Sequence, residues 1–200
     1  MKTFSGKGVG ERLENVIRGS NKFLIVISPW ISDKYASIIM SKVKDGVKAI
    51  VVTSEDSEKA FRKAMRGCEK KERSKRSLLF WALALPLTVV ALIALLREIG
   101  LLLSVIVIIA SLKRRKKGYG KGNRIKVIIV GKDHFVHAKI YVNESKAVTG
   151  SANLTESGLW RNVELIHIFD KGEEGYEEVF EEAKKIVRES EANSKKLLRC

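Results

Sequence analysis

The 200-residue sequence predicts an α/β domain, a mixed sheet flanked by helices, with a helical membrane hairpin inserted in its middle. Three observations support this prediction. Short apolar runs typical of buried strands alternate with amphipathic helical segments, an order that favours parallel strands. A long uncharged stretch interrupts this alternation from residue 77, and the alternation resumes after it. We therefore assign residues 1–67 and 123–200 to two halves of one domain, and residues 68–122 to the insertion.

The first half alternates helix and strand. A first helix is predicted where apolar residues recur at helical spacing within residues 9–17. The continuous apolar runs 22–29 and 47–53 are typical of buried strands. Between them, a second helix is expected over residues 33–46, because Asp33 can cap its start and Gly46 can end it. Residues 55–66 are predicted to form a third helix.

The second half contains further strand-like runs and ends in a helix. Strands are predicted for residues 124–130, 136–142, 147–149 and 163–169. The last helix has an apolar stripe from Tyr176 to Val187, with glutamates in its first turns and basic residues later, as the helix dipole favours. The sequence thus returns to the same α/β pattern after the insertion.

The insertion carries two uncharged runs, residues 77–96 and 99–112. A helix of 20 residues is ~30 Å long, about the thickness of the hydrocarbon core of a bilayer. Residues 69–76 and 113–117 flank these runs and are strongly basic, which marks the cytoplasmic side at both ends. We therefore expect a hairpin with residues 77–112 in the membrane and the α/β domain on the cytoplasmic side. A buried hairpin within a soluble core, or a re-entrant second arm, remains as an alternative.

The net charge of +15 suits a polyanionic partner, either nucleic acid or an anionic membrane surface. Of the 38 basic residues, 13 lie between Lys70 and Lys126 outside residues 77–112. The charge therefore has two interpretations, a polyanion-binding domain or basic flanks beside a membrane segment.

Two pairs of polar residues carry the chemistry. On a strand, alternate residues share a face, so His137 and Lys139 project together while Val136 and its alternate neighbours face the core. Ser151 and Asn153 share the same spacing after the next turn. A hairpin can bring both pairs to one surface.

Such a group of side chains suits a phosphate ester. Imidazole acts as a nucleophile or as a general acid and base, and an ammonium group stabilises phosphate oxygens. Hydroxyl and amide groups donate further hydrogen bonds to those oxygens. The carboxylate and cysteine sets typical of metal sites are missing from this stretch, so we expect chemistry without a metal or other cofactor.

The segments HAK at His137 and GSANLT at Gly150 together resemble the HxK…GSxN signature of the phospholipase D superfamily. Glu164, eleven residues beyond Asn153, stands where that family places a carboxylate that orients the nucleophilic histidine. The N-terminal segments GERLENVI and SPWIS also look like the start of single-domain members. The resemblance covers the chain except residues 68–122 and implies a phospholipase D-like fold.

The resemblance implies a metal-independent hydrolase. His137 would attack phosphorus and form a phosphohistidine, Lys139, Ser151 and Asn153 would hold the phosphate oxygens, and a second histidine would protonate the leaving group. Since the chain has one copy of the motif, the resemblance implies a homodimer with a shared active site containing His137 of each subunit.

The sequence departs from the family pattern in one place. The aspartate usual after HxK plus four residues is replaced by Glu144, and the turn to Gly150 is one residue shorter. That aspartate is thought to support the structure of the site, and Glu144 is expected to take this role.

Three other residues receive plainer interpretations. His134 is expected to be solvated in a loop. His167 has odd spacing from Glu164 and is expected to face away from it, as a core or surface histidine. Trp30 is expected to pack near the rim of the pocket rather than stack on substrate.

Three functions remain open. The first is a membrane-anchored nuclease, because single-copy dimeric relatives are often nucleases. The second is a phospholipase D or phosphatidyltransferase acting on lipid headgroups. The third is an inactive module that binds nucleic acid or lipid, with Glu144 as a sign of lost activity.

Overall fold

The computed structural model describes residues 1–66 and 124–200, which build one sheet with helices on both faces. The predicted insertion, including its membrane hairpin, lies outside the described residues. The strands are β1 Lys2–Gly6, β2 Phe23–Ile27, β3 Lys48–Ser54, β4 Ile125–Val130, β5 Ile140–Asn143, β6 Lys146–Gly150, β7 Glu164–Asp170 and β8 Ser194–Arg199. The helices are α1 Gly10–Arg18, α2 Asp33–Lys44, α3 at residues 58–66 and α4 Glu174–Ala192.

The eight strands lie in the order β1-β7-β6-β5-β2-β3-β4-β8. Strands β2, β3 and β4 are parallel, as the alternation of helix and strand predicted. The other pairings, from β2 to β5 and outward to β1 and from β4 to β8, are antiparallel. The predicted mixed α/β sheet is confirmed.

Helices cover both faces of this sheet. Helix α4 packs on one face, where Tyr176, Ala183 and Val187 join a core that includes Ile27 and Val142. The strand residues on the opposite face are equally buried, among them Leu24, Val26, Val51, Tyr141 and Val148. Helices α1 and α2 contact each other, and α1 also contacts β5, so these two helices cover the second face.

The two edge strands, β1 and β8, are absent from the sequence prediction. Both are mostly exposed and have no apolar alternation that would mark a strand. Each is extended because it pairs with a neighbour, β1 with β7 and β8 with β4. Their structure is thus determined by sheet pairing rather than by local pattern.

Helix α2 begins at Asp33, with Ser32 rather than Asp33 at the N-cap position. Gly46 lies just past its C-terminus with φ of 109°, a left-handed conformation that glycine adopts without steric strain. The expected end of the helix is therefore confirmed, and its start is shifted by one residue.

No helix within residues 1–66 or 124–200 is both long and apolar enough to cross a membrane.

The register brings several strand ends to one end of the sheet. Ile27, the last residue of β2, pairs with Ile140, the first residue of β5. Ile140 also pairs with Thr149 near the end of β6, and Gly150 pairs with Ile166 near the start of β7. The residues that precede β5, follow β6 and begin β7 therefore lie side by side, and we call this end the site end.

Candidate active site

His137 and Lys139 lie immediately before β5 rather than within it. The predicted strand 136–142 begins only at Ile140, because the neighbouring β2 ends at Ile27, opposite Ile140. The expected alternation of faces still holds, since Val136 and Ala138 pack against the core under α4. His137 and Lys139 consequently point away from that core.

The two side chains meet directly. Lys139 Nζ lies 3.0 Å from His137 Nδ1 and 3.0 Å from Nε2, and it donates to the carbonyl oxygen of His137 at 2.7 Å. Lys139 is only 5% exposed, whereas His137 is exposed. Burial lowers the pKa of Lys139 below its ordinary value near 10.5, and the nearby Glu164 carboxylate opposes part of this shift. A buried ammonium group thus lies against an accessible imidazole.

Backbone hydrogen bonds tie the two sequence motifs together. Gly150 N donates to the carbonyl of Lys139 at 3.3 Å, and Ser151 N donates to the carbonyl of Leu165 at 2.9 Å. A Cβ at Gly150 would lie 2.1 Å from the Leu165 carbonyl oxygen. Only glycine lets β6 approach β7 this closely, which explains the first residue of the GSAN segment in physical terms.

Ser151 and Glu164 form a second cluster beside the first. Ser151 Oγ donates to Glu164 Oε2 and accepts a hydrogen bond from Leu165 N at 3.0 Å. Asn162 Nδ2 donates to the other carboxylate oxygen, Oε1, at 3.2 Å. Within the described segments, the hydrogen-bond partners of Glu164 are therefore Ser151 and Asn162, not His137. The orienting contact that the family resemblance implied is not made within a single chain.

Asn153 lies on the loop that follows β6, and contacts with neighbouring segments hold this loop in place. Its Oδ1 atom is buried without a hydrogen-bond partner among the described residues, which is uncommon for a buried polar atom. A Cβ at Gly158 would lie 2.5 Å from the Asn153 carbonyl oxygen, so this glycine allows the turn at Ser157–Arg161 to pack on the loop. The unpartnered Oδ1 atom is an acceptor and cannot bind a phosphate oxygen, so only the Nδ2 group of the same amide can donate to one.

Two buried hydroxyl groups hold this loop in place, and the sequence analysis assigned neither of them to the site. Tyr141 OH donates to the Ala152 carbonyl at 2.8 Å, and Ser28 Oγ accepts from Leu154 N at 3.3 Å. Burial raises the pKa of Tyr141, so the phenol remains a hydrogen-bond donor. The sequence did offer an indication for Tyr141, because a residue two positions after Lys139 on a strand lies on the same face.

Aromatic rings border the exposed side of His137. The ring centroids of Trp30 and Phe135 are 6.0 Å apart, and they lie 6.2 Å and 6.0 Å from the His137 ring. Trp30 is at the rim, as expected, but it is 39% exposed and Phe135 is 43% exposed. Phe135 was not considered from sequence, although it lies two residues before the histidine.

Glu144 lies at the opposite end of β5, away from this group of residues. Its Oε1 accepts from Asn21 N at 2.6 Å and its Oε2 from Phe23 N at 3.5 Å, at the start of β2. Burial raises the pKa of Glu144, and backbone N–H groups lower it by more, so the pKa lies below its ordinary value. Its contacts are with the scaffold, one strand length from the phosphate-binding candidates.

The remaining histidines lie elsewhere. His134 is exposed in the short turn Lys132–His134. His167 Nδ1 lies 3.0 Å from Thr3 Oγ1 of the edge strand, and its side chain lies on the face opposite Glu164. In residues 1–66 and 124–200 no three His, Cys, Asp or Glu side chains gather as a metal site would require.

The site end therefore holds an imidazole against a buried ammonium, and a backbone hydrogen bond from Gly150 links Lys139 to the loop that carries a hydroxyl and an amide. These are the kinds of group that can attack phosphorus and stabilise charge on phosphate oxygens.

Comparison with known families supports this interpretation. Residues 13–186 match the family described as "Cardiolipin synthase, PLD-like domain". Among curated proteins, none matches this chain in sequence.

Solved structures share the fold at low sequence identity. Nuc from Salmonella typhimurium, a phospholipase D family member, has a TM-score of 0.53 and 13% identity, with 100% of this chain and 99% of that chain covered. NucT from Helicobacter pylori has a TM-score of 0.51 and 12% identity, with 96% of both chains covered. Phosphatidylserine synthase from Haemophilus influenzae Rd KW20 has a TM-score of 0.51 and 11% identity, but all of this chain covers only 39% of that one.

Proposed function

This chain belongs to the family described as cardiolipin synthase, PLD-like domain, and from that premise we propose that it cleaves phosphodiesters with His137 as the nucleophile. The observation that carries the proposal is the contact of Lys139 Nζ with the His137 ring at 3.0 Å, beside the Ser151 and Asn153 loop. An ammonium group so placed stabilises the oxygens of the same phosphate whose phosphorus the imidazole attacks.

The reaction proceeds in two displacements. A ring nitrogen of His137 forms a bond to phosphorus, and the bond from phosphorus to the leaving oxygen breaks, giving a phosphohistidine. Lys139, Ser151 and Asn153 hold the non-bridging oxygens throughout. A second imidazole donates a proton to the leaving oxygen. The same imidazole then removes a proton from water, and the water oxygen bonds to phosphorus as the bond between phosphorus and the His137 nitrogen breaks.

The second imidazole comes from a second copy of the chain. His134 is exposed in a turn and His167 bonds to Thr3, so neither shares the contacts of His137. The resemblance to single-motif family members, together with one HAK and one GSAN motif in the sequence, supports a homodimer in which two His137 rings share one active site.

A mixing experiment tests the shared site. Wild type and His137→Ala are unfolded, combined in varied proportions and refolded, and the phosphodiesterase activity is measured. If both copies supply a histidine, a mixed dimer is inactive and activity falls as the square of the wild-type fraction. A linear fall contradicts the shared site.

The preferred substrate in this proposal is nucleic acid. The two described segments keep a net charge of +6, from 26 basic and 20 acidic residues, which suits a polyanion. Nuc and NucT share the fold of this chain over 99% and 96% of their own length.

A second candidate substrate is a phospholipid. The family description names a cardiolipin synthase, and one structural neighbour is a phosphatidylserine synthase. In this case an alcohol rather than water accepts the phosphatidyl group from His137. An inactive binding module is the third candidate, but Glu144, the residue that suggested it, makes its contacts away from the site.

We also propose that residues 77–112 anchor the enzyme in a membrane with the catalytic domain on the cytoplasmic side. This rests on the two apolar runs and their basic flanks in the sequence. Protease protection of tags at both termini of the full chain tests it. Termini on opposite sides of the membrane contradict the hairpin.

Assays of the purified full chain separate the substrates. Single-stranded DNA, RNA and phosphatidylcholine vesicles are each incubated with EDTA present. We expect cleavage of nucleic acid that EDTA leaves intact, and a loss of about 10⁴-fold or more in His137→Ala, which removes the nucleophile. Release of headgroups would indicate the lipid enzyme, and binding without turnover would indicate the inactive module. Activity that requires a divalent metal would contradict the mechanism.

A further inference from the structure

Two large aromatic rings beside the nucleophile are unusually open to solvent. Trp30 and Phe135 each lie about as close to the His137 ring as they do to one another, so three rings border one space. Exposed apolar rings forgo the stabilisation that burial brings, which favours a role in binding at this position. Of these three rings, only the His137 imidazole takes part in the proposed reaction, and Trp30 and Phe135 have no role in it.

The Trp30 ring is held in place. Its Nε1 donates to Asp56 Oδ2 at 3.1 Å, and its backbone carbonyl accepts from the buried Ser28 hydroxyl at 3.0 Å. A fixed indole loses little side-chain entropy when a ligand stacks on it. Trp30 therefore offers a preformed flat surface at the edge of the active site.

A polar pocket of about 610 Å³ is lined by residues that neighbour Phe135 and Asp56 in the chain. Its wall includes Lys132 and His134, in the turn just before Phe135, and Glu55, the neighbour of Asp56. Lys195 also lines the pocket and donates to Glu55 at 3.0 Å. The two rings do not themselves line the pocket, but these chain neighbours place it close to them.

The pocket lining excludes an acyl chain as the natural occupant. Every lining side chain is polar or charged, apart from Gly131, and cations and carboxylates are both present. Hydroxyls and phosphates of a sugar–phosphate backbone find donors and acceptors there, whereas a lipid tail would bury polar groups without partners.

We propose that Trp30 and Phe135 form a stacking platform for an unpaired nucleobase next to the scissile phosphate, with the following sugar–phosphate in the adjacent polar pocket. The substrate class is therefore single-stranded nucleic acid, because a base inside a duplex has both faces covered by its neighbours. This inference rests on the proposed nuclease function and adds to it a preference for single strands.

Binding of labelled oligonucleotides tests the platform. The affinity is measured in a His137→Asn background, which prevents cleavage, with a single strand and with the duplex of the same sequence. Base stacking on an aromatic side chain, worth roughly 1–3 kcal/mol, predicts that Trp30→Ala weakens single-strand binding by about 5- to 150-fold. Trp30→Phe keeps an aromatic ring and is expected to stay within about threefold.

Phe135→Ala gives an independent readout, since Phe135 carries no side-chain hydrogen bond and its loss leaves the Trp30 to Asp56 contact intact. It is expected to weaken single-strand binding in the same direction, with duplex binding changed less in both alanine variants. Thermal melting confirms that each variant is folded. Unchanged single-strand affinity in both alanine variants overturns the platform.

The two proposals fail in different ways. If wild type cleaves single strands and duplexes equally well and Trp30→Ala does not alter single-strand binding, only the stacking platform is wrong. If wild type cleaves no nucleic acid and instead releases headgroups from phosphatidylcholine vesicles, the nuclease function itself is wrong. Loss of vesicle binding in Trp30→Ala, with oligonucleotide binding retained, also overturns the platform.

Discussion

The two ends of strand β5 are built in opposite ways. At the site end, the exposed His137 lies against the buried Lys139 ammonium, and Asn153 Oδ1 is buried without a partner in the described part of the chain. At the far end, Asn143 uses all of its side chain: Nδ2 donates to Val16 at 2.7 Å, and Oδ1 accepts from Ser145 N and Lys146 N at 2.8 Å each. Glu144 beside it accepts from Asn21 N, just before β2, and from Phe23 N at the start of β2.

This contrast separates polar groups that stabilise the fold from those available to a ligand. Buried polar groups with partners contribute to folding, whereas those without partners cost stability unless something else binds them. A four-residue strand is ~13 Å long, so the two kinds of group lie close together without sharing contacts. Substitutions at the site end should therefore change activity, and those at the far end should change stability.

After the loss expected at His137 itself, the largest effect is expected at Lys139. Lys139→Met removes the cation that faces the phosphate oxygens, and we expect kcat/KM to fall by about 10²- to 10³-fold, the usual loss for one preorganised electrostatic contact. Lys146→Met is the matched control at the other end of the β5–β6 hairpin, where Lys146 pairs with Asp170. Steady-state kinetics of both variants measure the difference, and equal losses would contradict it.

The pH profile sharpens the same prediction. The pKa of Lys139 lies below its ordinary value near 10.5, so the ammonium loses its proton at a lower pH than an ordinary lysine does. As the pH rises, activity should therefore begin to fall before pH 10.5 is reached. In Lys139→Arg the guanidinium stays charged, so the residual activity should lose this basic limb. A basic limb unchanged in the arginine variant would assign it to another group.

A smaller effect, on stability, is expected at Asn143. Asn143→Ala leaves the Val16 carbonyl and two backbone N–H groups without their partner, and we expect a loss of about 2–4 kcal/mol in the free energy of unfolding. Urea denaturation measures it. Asn15→Ala, at an exposed position of helix α1, is the control and should change stability by no more than about 0.5 kcal/mol. A folded Asn143→Ala protein with full stability but no activity would reverse the contrast between the two ends.

The smallest effect is expected at Glu144. Glu144→Gln weakens the acceptor for Asn21 N and Phe23 N, and we expect a loss of about 1 kcal/mol with kcat nearly unchanged. Since the pKa of Glu144 is lowered in the folded state, its contribution is present above its ordinary pKa near 4.5 and disappears as the pH falls through the folded value. The stability difference between wild type and Glu144→Gln should shrink over that acidic range. A constant difference, or a large fall in kcat, would contradict a purely structural role.

The internal strands and helices were predictable because their buried residues form local apolar patterns in the sequence. The parallel strands β2 and β3 are continuous apolar runs, and Leu13, Val16 and Ile17 of α1 recur at helical spacing. The edge strands carry no such pattern, since Lys195 and Lys196 of β8 are exposed. Their extended conformation depends on the neighbouring strand, which a local pattern does not reveal.

The site was predictable where two residues lie two positions apart on an extended segment, because this spacing makes their side chains point the same way. His137 and Lys139 meet as their spacing predicted. The supporting residues depend on long-range pairing, and Ser28 reaches the loop from a strand more than a hundred positions earlier in the sequence. The partners of Glu164 were also missed, because Asn162 and Ser151 reach its carboxylate through the pairing of β6 with β7.

Strand β4, which resumes the chain at Ile125, occupies an interior place in the sheet between β3 and β8. During synthesis, the first 66 residues therefore leave the ribosome before the strands that pair with β2 and β3 on their other sides, β5 and β4, have been made. Every side chain of the HAK and GSAN motifs emerges later still. The sheet can therefore be completed only after the second half of the chain has been made, and an incomplete nascent chain lacks the side chains of the candidate site.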